Sequence, residues 1–171
     1  MDTPPIVSAE EWKQAREELL VEEKAMTRAR DALAAKRRRM PWLAVERDYV
    51  FEGPEGRVSF PDLFDGKRQL VLYRAFYDEG ITTTAPGTSF PERACVGCSM
   101  VADQVAHPAH LSGRDTRLVF ASRASQEQIR DLQERHGWQD IPWYTITDDF
   151  DVDFDVDQWH GHNAFICEGE R

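Results

Sequence analysis

Two cysteines three residues apart, Cys95-Val96-Gly97-Cys98, are the residues of this chain with the clearest chemistry. Thiols at that spacing on one helical turn are neighbours, close enough to close into a disulfide with little movement. The segment from Cys95 to Ala106 permits a helix, stopped by Pro108, and it follows a β-prone stretch, Gln69 to Tyr77 (QLVLYRAFY). A cysteine that opens a helix sits beside unpaired backbone N–H groups and the positive end of the helix dipole, which favour a thiolate. Arg93, two residues upstream, would add to this. The spacing therefore predicts Cys95 as a nucleophile on a disulfide sulfur and Cys98 as the thiol that resolves the mixed disulfide.

Other constellations compete with this one. His107 and His110 follow the pair as C-x2-C-x8-H-x2-H, but both gaps are shorter than a zinc finger uses, and Pro108 lies between the histidines. His160-Gly161-His162 reads as a strand-entry turn rather than a metal site. The acidic run Asp148, Asp149, Asp151, Asp153, Asp155 and Asp157 lacks the Gly and Glu of an EF-hand loop: counted from Asp151, those places hold Val156 and His162. Its alternation with Val152, Phe154 and Val156 reads as one wet face and one buried face. No metal or cofactor is expected. Cys167 reads as a small core residue.

The elements that must position the pair are legible in part. Ser8 with Glu11 forms a capping box that opens a long helix. Trp12, Leu19, Met26 and Leu33 recur every seven residues along it, and Lys36-Arg37-Arg38-Arg39 followed by Pro41 closes it. Tyr49-Val50-Phe51 and Arg57 to Phe60 flank Gly53-Pro54-Glu55-Gly56 as a hairpin. Strands are expected at 69–77, 118–122 and 164–167. A loop is expected over 78–93, and a helix capped by Ser125 with Gln128 and ended by Gly137. Strand, helix, strand, helix, strand is the α/β pattern. The expected organisation is an N-terminal helical extension over 1–40 and an α/β domain over 41–171.

Composition narrows the partners. With 21 Lys+Arg against 31 Asp+Glu the chain carries a net charge of −10, and residues 140–171 alone hold nine acids against one base. That balance argues against nucleic acid, which needs a basic face. No apolar run reaches bilayer-spanning length, and the first 20 residues show no signal-peptide pattern, so a cytoplasmic protein without membrane attachment is expected.

Several blocks in order resemble a known family: EEWKQAREELL, RRRMPW, FPDLFDGKRQLVLY, CVGCS, FASRASQEQI, HGWQDIPWY and WHGHNAFICEGER. Over about Glu10 to Arg171 the chain is similar to the domain-of-unknown-function-899 family, described as thioredoxin-like predicted dithiol-disulfide oxidoreductases. The resemblance implies a thioredoxin-like, peroxiredoxin-flavoured sheet flanked by helices. Gly66 to Tyr77 would supply the first core strand, and Cys95 and Cys98 the start of the next helix. Two departures stand out. Gly161, His162 and Asn163 occupy the place where thioredoxin-like proteins usually put a cis-proline. The family also continues with a further strand, so the domain is expected to be C-terminally truncated, with strand 164–167 at a free edge that invites either a homodimer or a cover by the Trp12/Leu19/Met26/Leu33 stripe of the long N-terminal helix. A dithiol-disulfide oxidoreductase acting on a disulfide-containing protein or small thiol is the first expectation. A non-catalytic thioredoxin-fold binding module, its pair structural or metal-holding, is the alternative. A peroxidase ranks behind both, because Glu92-Arg93-Ala94 precedes Cys95 in place of the usual Pro and Thr.

Overall fold

The computed structural model describes residues 3–77, 95–156 and 160–169. The expected loop over 78–93, with Arg93, lies outside them, as does Asp157. The chain divides into two compact units, residues 1–44 and 45–171.

The first unit is built on one helix, α1 (Ala9–Arg37). Its start is the expected capping box: the Glu11 N–H donates to the Ser8 hydroxyl at 3.3 Å, and the Ser8 N–H donates back to the Glu11 carboxylate at 2.9 Å. Glu10 and Glu11 sit in the first turn and Lys36 and Arg37 in the last, matching the helix dipole at both ends. None of its residues is buried.

The second unit is a mixed six-stranded sheet. The hairpin β1 (Val50–Gly53) and β2 (Gly56–Ser59) turns through Pro54-Glu55. A short 3-10 turn (Pro61–Phe64) leads to β3 (Gln69–Arg74). Then come α2 (Val96–Asp103), α3 (Ala109–Ser112), β4 (Thr116–Ser122) and α4 (Gln126–His136). The chain continues through β5 (Trp143–Ile146), α5 (Phe150–Asp153) and β6 (Gly161–Ile166). The strand order is β2-β1-β5-β4-β3-β6. Strands β3, β4 and β5 run parallel, while β1 and β6 are antiparallel to their neighbours β5 and β3. A parallel pair β3/β4, an antiparallel β6 on the other side of β3, and a cysteine-bearing helix after β3 form the thioredoxin-like arrangement that the resemblance implies.

Alternation along each strand builds a core on either side of this sheet. On one side Leu70, Leu72, Val119, Ala121 and Ile146 pack with the aromatic cluster of Phe51, Phe60, Phe64 and Phe150. On the other, Tyr73, Ala75, Phe120 and Trp143 meet Cys98 and Ala102 of α2 and Ile129 and Leu132 of α4. Helix α4 is capped as expected by Ser125 and Gln128 and ends on Gly137 at φ 74°. Just beyond it, the Trp138 indole N–H donates to Asp103 at the end of α2 (2.9 Å), with His136 stacked at 4.5 Å.

The structure corrects three expectations. Strand β5 was not anticipated: it has only four residues, all buried, and shows no alternation. The acidic run is not a strand with one wet face. It forms α5, in which Asp151 is fully buried while Val152 is half-exposed. The cause lies across the sheet: Arg74, 1% exposed, donates to Asp151 at 3.2 Å, and Arg123 donates to the same carboxylate at 3.0 Å. A buried guanidinium holds its charge only with such a partner. Lastly, His162 is not in a turn, because β6 begins three residues earlier than the sequence suggests. Its first residue, Gly161, sits so close to Val156 that an added Cβ would meet the valine side chain at 2.4 Å.

Asp151→Asn keeps the shape of the side chain but removes the buried carboxylate that Arg74 and Arg123 share. Its unfolding free energy, from denaturant titration, is expected to drop by about 3 kcal/mol or more. A loss under about 1 kcal/mol would show that solvent or other groups satisfy Arg74.

Candidate functional site

Beyond β3 the chain runs straight into the site. The Ala75 N–H still bonds to β4, at the Ala121 carbonyl (2.8 Å), and the next residue turns its backbone toward α2. The Phe76 carbonyl accepts from the Cys95 N–H at 3.2 Å, and the Phe76 N–H donates to the Cys98 sulfur at 3.2 Å. Cys95 is the N-cap of α2, with φ −38° and ψ 131°, and its own carbonyl accepts from the Ser99 N–H at 2.9 Å. Both cysteines are free thiols, one helical turn apart. Sequence and structure thus agree on where the pair sits: past the end of a buried strand, at the opening of a helix.

The two thiols have different environments. Cys95 is partly exposed at the helix start, whereas Cys98, one turn in, is completely buried. Burial pushes the Cys98 thiol up to about 11, because a thiolate there would lose its hydration. Two groups work against that cost, the Tyr73 hydroxyl and the Phe76 N–H. Tyr73 is itself fully buried, which raises its own pKa. Among the described residues no hydrogen bond of standard geometry satisfies its hydroxyl, whose polar neighbours are the cysteine sulfurs.

Strand β6 supplies residues that reasoning along the chain did not join to the pair. Tyr73 pairs directly with His162 in the β3/β6 register, and their rings stand 4.6 Å apart; His160 lies 6.2 Å from the same ring. Opposed residues of a strand pair share a face, so both exposed imidazoles border the tyrosine that contacts Cys98. The motif His160-Gly161-His162 was visible in the sequence. Its partner was not, since the antiparallel register joins positions 89 residues apart.

The other candidates lie elsewhere. His107 and His110 line a groove of about 350 Å³ past the C-terminal end of α2, with Val101, Val105, Leu111 and Leu118. Among the described residues no group of three or more His, Cys, Asp or Glu side chains converges as a metal site would need. Cys167 is half-buried against the core on the opposite side of the sheet from Cys98. Among the described residues no helix is long and apolar enough to cross a membrane.

Fold and site together define an α/β protein with a dithiol at a helix N-terminus. The chain belongs to the family described as "Bacterial protein of unknown function (DUF899)", whose model matches residues 1–167. Among solved structures it is similar to a yeast mitochondrial 1-Cys peroxiredoxin, determined for its thiol resolving mechanism via glutathione/thioredoxin systems. That likeness has a TM-score of 0.44 and 17% identity and covers 77% of this chain. It covers 56% of the peroxiredoxin, so the chain spans about half the length of that structure. No curated protein matches it.

Because the unfolded thiol ionises near its ordinary 9.0 and the folded one near 11, the folded state is favoured below pH 9. That part of the stability is lost as pH climbs from about 9 to about 11. Unfolding titrations across this window are expected to show a falling free energy whose Cys98 share disappears in Cys98→Ser. An identical slope in wild type and variant would rule out the raised thiol. Tyr73→Phe, which removes a group that favours the thiolate, is expected to move the alkylation profile of Cys98 to still higher pH.

Proposed function

We propose that the protein is a dithiol-disulfide oxidoreductase, with Cys95 as nucleophile and Cys98 as resolving thiol. The observation that carries this reading is the asymmetry of the pair: a partly exposed thiol on the helix cap and, one turn in, a fully buried one whose pKa burial pushes up to about 11. A nucleophile must reach its substrate, whereas a resolving thiol need reach only the nucleophile.

The reaction balances as two exchanges. The Cys95 thiolate attacks one sulfur of a substrate disulfide. A new S–S bond forms to Cys95, the substrate S–S bond breaks, and the departing thiolate takes up a proton. Cys98 then gives up its proton and attacks the Cys95 sulfur. The Cys95–Cys98 disulfide forms, and the second substrate sulfur leaves as a thiolate. The substrate has gained two electrons and the pair has lost two. A dithiol reductant returns the pair to its starting state.

The Tyr73 hydroxyl and the Phe76 N–H favour the Cys98 thiolate in the second exchange. His160 and His162, exposed next to Tyr73, border the pair on the solvent side. The substrate class that fits an accessible cap cysteine is a disulfide-containing protein or a small disulfide.

Mild oxidation followed by mass spectrometry is expected to show a loss of two protons, localised to a Cys95–Cys98 link within one chain. Alkylation of single Cys→Ser variants is expected to find Cys95 the faster-reacting thiol. If both thiols stay fully alkylatable after oxidation, or if the purified protein carries stoichiometric zinc on them, the pair is structural or metal-holding and the redox reading fails.

A further inference from the structure

Helix α1 is 29 residues long and buries none of them. Long helices in water owe most of their stability to packing of an apolar face, so a face left open on this scale calls for a partner. The face is a narrow stripe. Trp12, Leu19, Met26 and Leu33 follow one another at intervals of seven and are 63%, 52%, 75% and 48% exposed. Three residues after each, the same seam carries Ala15, Glu22, Ala29 and Lys36. We infer that α1 pairs with α1 of a second copy of this chain, side by side and antiparallel.

Charge favours a second copy and fixes its direction. Residues 9–23 hold six acids against two bases, a net −4, while residues 24–39 hold seven bases against one acid, a net +6. A parallel pair would set acid beside acid and base beside base. An antiparallel pair sets each end of one helix against the opposite charge on the other.

Side-chain size gives the same direction. Large residues occupy one position of the repeat, and two of the four residues at the other are alanines. In a parallel pair like positions meet, which crowds Trp12 against its own copy and leaves gaps at Ala15 and Ala29. With the two-fold axis passing beside Lys24, an antiparallel pair lays Leu19 over Ala29 and Leu33 over Ala15 of the second copy. Met26 then lies along the stem of Glu22, and the Trp12 ring meets Lys36, a cation–π arrangement. The flanks are not uniformly favourable in this register, since Arg16 faces Arg30 of the second copy. Arg16 is already paired to Glu23 of its own helix at 3.3 Å, which softens that contact.

The test uses the full chain. Light scattering over a concentration series is expected to show a dimer. Carbodiimide coupling, which joins carboxylates to amines in direct contact, is expected to link Glu10 or Glu11 to Lys36. Within one helix Glu11 and Lys36 are about 37 Å apart at about 1.5 Å per residue, so this link reports two antiparallel copies. The double variant Leu19→Glu/Leu33→Glu is expected to weaken the dimer roughly a hundredfold. Unfolding of the 45–171 unit should not change, which separates lost pairing from lost folding. A monomer at every concentration would overturn the inference, whether the seam is then open or covered by the chain's own second unit. So would a dimer that persists in the double variant or forms without the Glu–Lys36 link.

Discussion

The site depends on β3 being buried on both faces at its last two residues. Tyr73 and Arg74 are adjacent, so they point to opposite sides of the sheet, and neither reaches solvent. Each carries a polar end that must be accommodated. Arg74 is held by the buried Asp151 on one side, and Tyr73 lies against the cysteine sulfurs on the other. A strand pinned from both faces cannot slide by a residue without burying the arginine among the α2 side chains and turning the tyrosine toward Asp151. The plane and register of β3 therefore fix where Phe76 leaves the sheet, and Phe76 holds Cys95 by its carbonyl and Cys98 by its N–H. Residues that do no chemistry on the Asp151 side determine the geometry of the thiols on the other.

The difference between the two cysteines follows from one helical turn. Moving three residues along α2 takes a side chain from the rim of the sheet to its core. No special group is needed to make one thiol accessible and the other reluctant to ionise, since depth alone does it. What the sequence adds is moderation, because Tyr73 and Phe76 keep the desolvation of Cys98 from being uncompensated. A phenylalanine at 73 would pack equally well and would remove that help, so the hydroxyl has a local electrostatic role that packing does not explain.

Local signals were legible and non-local ones were not. Both capping boxes, the hairpin, the C-cap at Gly137 and the cysteine pair after a strand are short-range patterns, and the structure contains each of them. The alternating aspartates misled because period two describes a strand only when nothing across the sheet demands a buried carboxylate; Arg74, 77 residues earlier, does. Strand β5 escaped notice because four buried residues after a proline give no periodicity to read. His162 was expected in a strand-entry turn with Gly161 beside it. That glycine is instead required by the close approach of Val156 at the start of a strand.

The far end of α2 has an optical consequence. Asp103 closes that helix and accepts from the Trp138 indole, whose ring stacks with His136 and with Trp143, at centroid distances of 4.5 and 6.3 Å. Indole emission shifts with the polarity and hydrogen bonding around the ring. Helix α2 thus carries sulfurs at one end and a fluorophore tethered to the other. Any tilt or shift of the helix that accompanies a change at the thiols pulls on the Trp138–Asp103 bond. The chain's own ultraviolet emission would register that movement without a label.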